Sequence, residues 1–149
     1  MATVFPNIEG LDAVERNLRR QMSIDKHRAL DEIGQYFNSE IQQRFVRSED
    51  HEGRAWERLK YRVGKPLVNT GILRSSITHR ILNESTVIIG TNVVHSAQNR
   101  ESYARIHNYG GYAGRGKRVK IPKREFMGIS DTNEMEINEI VERHLNRNR

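Results

Sequence analysis

Histidine and carboxylate are the residues of this sequence best suited to acid–base or metal chemistry, and the six histidines are scattered along it. His51 stands between Asp50 and Glu52, a trio of potential metal ligands. Consecutive side chains point in different directions, however, and no second histidine follows at helical spacing, so the run reads as a solvated turn. His107-Asn108 lies among lysines and arginines, a setting that suggests metal-dependent phosphodiester cleavage. Such an enzyme needs carboxylates to hold a divalent ion against phosphate, and the stretch from Tyr103 to Gly128 supplies only Glu125. His107 therefore reads as a positioned structural residue.

Other chemistries lack their residues. Gly110, Gly111, Gly114 and Gly116 lead into a basic strand, not into a helix that could face a phosphate, and no Gly-Lys-Ser/Thr follows them. There is no Gly-x-Ser-x-Gly elbow and no His-Glu-x-x-His helix. Without cysteine there are no disulfides, thiolate metal sites or thiol nucleophiles. No cofactor or metal is expected from these residues.

What the sequence does concentrate is charge. Arg105, Arg115, Lys117, Arg118, Lys120, Lys123 and Arg124, set against Glu125, give Tyr103 to Gly128 the whole +6 of the chain. Tyr109, Tyr112 and Phe126 are interleaved with these cations. Cations on phosphates with aromatics beneath bases would grip nucleic acid; a solvated strand face is the plainer reading. Arg115, Lys117, Arg118 and Lys120 are the candidate contact residues.

The elements that would position this stretch follow from periodicity. Leu11, Val14, Leu18 and Met22 mark a helix from about residue 9, and Ser23 is placed to cap a second helix carrying Leu30, Ile33, Phe37, Ile41 and Phe45, with Gly34 its weak position. Residues 47–66 form a charged surface excursion pinned by Trp56. Thr70 can cap a short helical turn, after which Ile77, His79 and Ile81 alternate with polar neighbours and pair with Thr86 to Gly90 in an antiparallel hairpin. His79 reads as a satisfied, packed histidine. An exposed loop is expected over 92–102, a short helix over Tyr103 to Tyr109, and a strand over Lys117 to Ile121 that ends at Pro122. Asp131 with Glu134 suggests a capping box for a final helix carrying Ile137, Ile140, Val141, His144 and Leu145, followed by a fraying tail.

The result is an α+β protein: N-terminal helices and a C-terminal helix packed on a small, mostly antiparallel β-sheet. At 149 residues a single domain is expected, helical over 9–46, with a loop at 47–66, a β-rich core at 67–128 and the last helix over 131–146. No signal-peptide pattern and no apolar run of about 20 residues occurs, so a soluble protein made in the cytoplasm is expected, without membrane contact.

Four fragments then occur in a telling order: Leu67 to Ile77 (Leu-Val-Asn-Thr-Gly-Ile-Leu-Arg-Ser-Ser-Ile), Val87 to Asn92, Tyr103 to Gly111 (Tyr-Ala-Arg-Ile-His-Asn-Tyr-Gly-Gly), and Ile121 to Ser130. Together with Arg44-Phe45, Trp56 and Leu59 upstream, this resembles the bacteriophage virion morphogenesis, or tail-completion, family of Mu-like and contractile-tailed phages and prophages. The resemblance covers about 44–130 specifically and the flanking helices only in kind. It marks Thr70, Gly71, Leu73, Ser76, Ile77, Gly90, Thr91, Tyr103, Ala104, Ile106, His107, Gly110, Gly111, Ile121, Pro122, Phe126 and Gly128 as assembly-motif residues. Glu125 replaces the residue expected before Phe126 and is placed to pair with a basic neighbour.

The resemblance implies a non-enzymatic structural protein of the tail or neck that caps the head-proximal end of the tail and enables joining to the head, as a homo-oligomeric ring, a hexamer. Its implied partners are its own copies, tail tube and sheath proteins, neck or head-completion proteins, and DNA contacted non-specifically in the channel; Arg115, Lys117, Arg118 and Lys120 would line that channel or meet an acidic neighbouring protein. Synthesis would be in the bacterial cytoplasm and residence in the virion. The competing reading is a basic nucleic-acid-binding accessory protein.

Overall fold

The computed structural model describes residues 11–91 and 103–147. Helix α1, Leu11–Arg47, is followed by α2, Ile72–Ser75, and by the antiparallel strands β1, Thr78–Asn83, and β2, Thr86–Gly90. Helix α3, Tyr103–Tyr109, precedes strands β3, Gly111–Ala113, and β4, Val119–Ile121, which flank a 3-10 turn at Arg115–Lys117; α4, Asp131–Asn146, completes the described chain. The class is α+β. The described strands form two separate two-stranded antiparallel sheets, β1-β2 and β3-β4, in place of the one small sheet expected.

The expected break at Ser23 does not occur, because α1 runs through it as one helix of 37 residues. The physical reason is cooperativity. A serine inside a helix costs only about 0.5 kcal/mol relative to alanine, whereas ending the helix and restarting it incurs a second nucleation. Neither Gly nor Pro interrupts Leu11 to Ile33. The expected start at residue 9 and the 92–102 loop lie outside the described residues.

One stripe of α1 divides the interior into two clusters. Ile33 and Phe37 pack with Ile140 of α4, with Val87 and Ile89 of β2 against them. Ile41 and Phe45 pack with Trp56, Leu67, Leu73, Ile77, Ala104 and Phe126, and Ile89 also touches this second group, so the sheet face joins the two. Full burial of side chains the size of Phe45 and Phe126 contributes about 2–3 kcal/mol each. Leu30, the first residue of the expected stripe, is only half-buried.

Gly34 is the weak helix position with a reason. A Cβ there would stand 2.2 Å from Cδ2 of the His79 ring, so the missing side chain lets β1 approach α1. The ring is satisfied as expected: Nδ1 bonds Asn38 at 2.9 Å and Nε2 bonds Asp31 at 2.9 Å. His144 on α4 does the same for the far end of the helix pair, with Nε2 at 2.7 Å from Glu32.

Two caps differ from expectation. Helix α2 has Gly71 at its N-cap in a left-handed conformation (φ 72°), and Thr70 reaches only the Ile72 amide, at 3.4 Å. For α4 the capping box is Ser130 with Asn133, one residue earlier than Asp131 with Glu134. Ser130 Oγ accepts from Asn133 N at 3.2 Å and Asn133 Oδ1 accepts from Ser130 N at 2.9 Å. Asn133 satisfies Ser130 N as glutamate would, and it can also enter a buried network that a charged side chain could not enter cheaply. Asp131 and Glu134 remain in the first turn, where their charge favours the helix N-terminus.

A buried anchor beneath an exposed basic hairpin

The segment that follows β4 crosses the C-terminal part of α1, and the crossing is held by side chains whose polar groups are buried. Arg44 is 1% exposed. Its guanidinium donates to the carbonyls of Phe126 (2.8 Å) and Gly128 (3.0 Å) and to Asn133 Oδ1 (2.9 Å). Burial pushes its pKa down, with Glu40 nearby acting in the opposite sense, and a guanidinium stays charged in such a site. Asn133, also 1% exposed, passes the network on by donating to the Tyr36 hydroxyl at 2.8 Å.

A second buried amide fixes the same segment. Asn108, at the end of α3, accepts from the backbone N–H groups of both Phe126 (3.1 Å) and Met127 (2.9 Å). The amide of Arg124 donates to the His107 carbonyl at 2.8 Å, and the Arg124 guanidinium donates to the Glu57 carbonyl at 2.9 Å. Trp56 Nε1 donates to the Glu125 carbonyl at 3.1 Å while its ring meets Phe45 edge-on. From Arg124 to Gly128, then, the backbone is gripped by side chains of α1, α3 and the 47–66 excursion. The excursion is pinned by Trp56 as expected.

Glycine serves this crossing at two points. A Cβ on Gly110 (φ 74°) would meet Lys123 N at 3.0 Å, and one on Gly128 (φ 144°) would meet the His51 ring at 2.5 Å. His51 is thereby placed as a wall against Gly128 and faces Glu125, at 3.8 Å. Glu125 pairs with Lys123 at 3.0 Å, the expected basic neighbour. Among the described residues no group of three or more His, Cys, Asp or Glu is placed to hold a metal ion. No described helix is long and apolar enough to cross a membrane.

The remaining motif residues divide between core and frame. Leu73, Ile77, Ala104 and Phe126 are buried. Gly71, Gly90, Ile106, Gly111, Ile121 and Pro122 are half-buried, and Thr70 is exposed. Ser76 and Thr91 share a hydroxyl hydrogen bond that closes α2 onto the end of β2. Tyr103 and His107 stack edge-on within α3, with ring centres 4.3 Å apart.

The charge cluster separates into two populations. Arg124 is a buried structural residue and Lys123 is paired. Arg105, Arg115, Lys117, Arg118 and Lys120 are exposed, and none forms an ion pair with a described residue. β4 is shorter than expected, beginning at Val119, because Arg115–Lys117 form the 3-10 turn. Val119 is 54% exposed, and Tyr109 and Tyr112 are exposed as well. The hairpin thus presents cations and apolar rings to solvent while its base is fixed.

Arg44 and Asn133 were not marked as network residues by the sequence. A signal existed: Arg44 falls three residues after Ile41 on the apolar stripe of α1, and Asn133 stands four before Ile137 on that of α4, so both polar side chains face the interior.

Comparison with known proteins agrees with these motifs. Over 88 residues the chain is 43% identical to the Mu-like prophage FluMu G protein 2 of Haemophilus influenzae, a match covering 59% of this chain and 57% of that protein. The chain therefore matches a little over half the length of this curated relative. No solved structure matches. The model of the phage virion morphogenesis family matches residues 7–146, nearly the whole sequence, and the chain belongs to that family, whose role lies in building the phage particle.

Proposed function

We propose that this protein completes the head-proximal end of the phage tail and enables its joining to the head, acting as a structural component and not as an enzyme. The observation that carries the reading is the anchored hairpin. Buried contacts from Arg44, Asn108, Trp56 and Arg124 hold the base of a segment whose tip spends its cations and rings on no described partner. A fixed base with an adhesive tip suits a protein contact in an assembly, because a rigid presenter loses little entropy on docking.

In this reading copies close head-to-tail into a ring, a hexamer, stacked between tail tube and sheath proteins on one side and neck or head-completion proteins on the other. The protein is made in the host cytoplasm and resides at the tail–neck junction, where exposed cations can meet DNA non-specifically. Deleting its gene and imaging the lysate tests this. Separate heads and tails, rejoined when the wild-type gene is supplied, are expected; normal joining without the protein contradicts it.

The five exposed cations with Tyr109 and Tyr112 favour a second reading, a basic nucleic-acid-binding accessory protein. It predicts DNA affinity that falls steeply with salt and is lost on changing Arg115, Lys117 and Arg118 to Ala.

A further inference from the structure

A second surface is as unfinished as the hairpin. Between the N-terminal half of α1, the β1-β2 turn and the C-terminal half of α4 runs an apolar groove of about 420 Å³, floored by Ala29, Leu30, Ile33 and Val141. Met22 and Leu145 line it while remaining 58% and 66% exposed, more than large apolar side chains need to be on a finished surface. Asp25 and Glu84 also line it, against Lys26. Glu84 forms no ion pair with a described residue.

We infer that this groove receives the β3-β4 hairpin of a second copy of the chain. The match is chemical on both counts. Tyr112 supplies an aromatic ring to an apolar floor, and Lys120, its partner across the ladder, supplies a cation beside it, with Lys117 and Arg118 of the connecting turn, toward Asp25 and Glu84 on the rim. The two surfaces lie apart in one chain: the hairpin springs from the Arg44 anchor, while His144 meets α1 at Glu32, about 18 Å along the helix from Arg44. A contact between two different surfaces is head-to-tail, so each copy leaves one of each surface open for the next, and repetition gives a ring where the rotation closes. This assignment rests on the assembly reading above and adds to it which surfaces meet.

Two charge-reversed proteins test it. One carries Lys117→Glu, Arg118→Glu and Lys120→Glu; the other carries Asp25→Lys and Glu84→Lys. Self-association is read by sedimentation velocity and native mass spectrometry. Each variant alone juxtaposes like charges and should associate on the order of 100-fold more weakly than wild type. An equimolar mixture should recover assembly with the two masses alternating, which a misfolded variant could not produce. Wild type that stays monomeric at every concentration, reversals without effect, or losses that mixing does not repair overturn the inference. Duplex DNA binding lost in the hairpin variant, with self-association unchanged, would assign the hairpin to DNA and overturn it likewise. Presence of the protein in particles is measured separately: repaired assembly in a protein absent from virions would remove the tail-completion reading alone, and presence in virions without repair would remove this inference alone.

Discussion

Arg44 Nη2 donates to Asn133 Oδ1 at 2.9 Å across 89 residues of sequence, and through this bond the long helix sets where the last helix begins. The same guanidinium holds the carbonyls of Phe126 and Gly128, so hairpin and α4 are positioned by one side chain. Arg44→Ala takes this donor from the Phe126 and Gly128 carbonyls, leaves Asn133 Oδ1 with Ser130 N alone and opens a cavity, and should lower stability by about 3–5 kcal/mol in urea titration. Arg44→Lys keeps the charge without the fork and should recover only part of the loss.

Asn108→Ala removes the acceptor of two backbone amides. A loss of about 2–3 kcal/mol is expected. Hydrogen exchange at the Phe126 and Met127 amides should accelerate more than exchange in the middle of α1, because the damage is local to the crossing.

Gly34→Ala drives a methyl into the His79 ring and should cost about 1–3 kcal/mol, although alanine is the better helix former. The informative measurement is the pair: adding His79→Ala should relieve the clash, so the double variant loses less than the two single losses added together.

Acid should weaken the attachment of α1 to β1 and to α4. Hydrogen bonding by His79 lowers the pKa of Asp31, and hydrogen bonding by His144, aided by Arg143, lowers that of Glu32, from ordinary values of 3.8 and 4.5. Carboxylates with depressed folded values contribute stability that is complete above the ordinary values and fades as pH falls through the lower folded ones. Both side chains are more than a third exposed, so the contribution is modest. Urea midpoints should fall below pH 4.5, and the fall should be shallower in an Asp31→Asn, Glu32→Gln variant.

Much of this fold was legible where one period dominates. Ile33, Phe37, Ile41 and Phe45 marked the buried stripe, and the alternation around His79 marked β1 and its hairpin. Ser23 misled because cap preference is local, whereas helix continuation is cooperative. The net charge of 103–128 was read as one cluster, since nothing in the types of Arg124 and Lys120 tells which will be buried; only the carbonyls of Glu57 and Arg58, far away in sequence, decide it. The anchor was hidden for the same reason. Polar residues on an apolar stripe announce a partner without naming it.

The most direct test of the account is side-chain-resolution imaging of intact particles. It predicts copies of this chain in a closed ring at the head-proximal end of the tail, each hairpin against a neighbouring copy. Particles with normal head–tail junctions that lack the chain would contradict it.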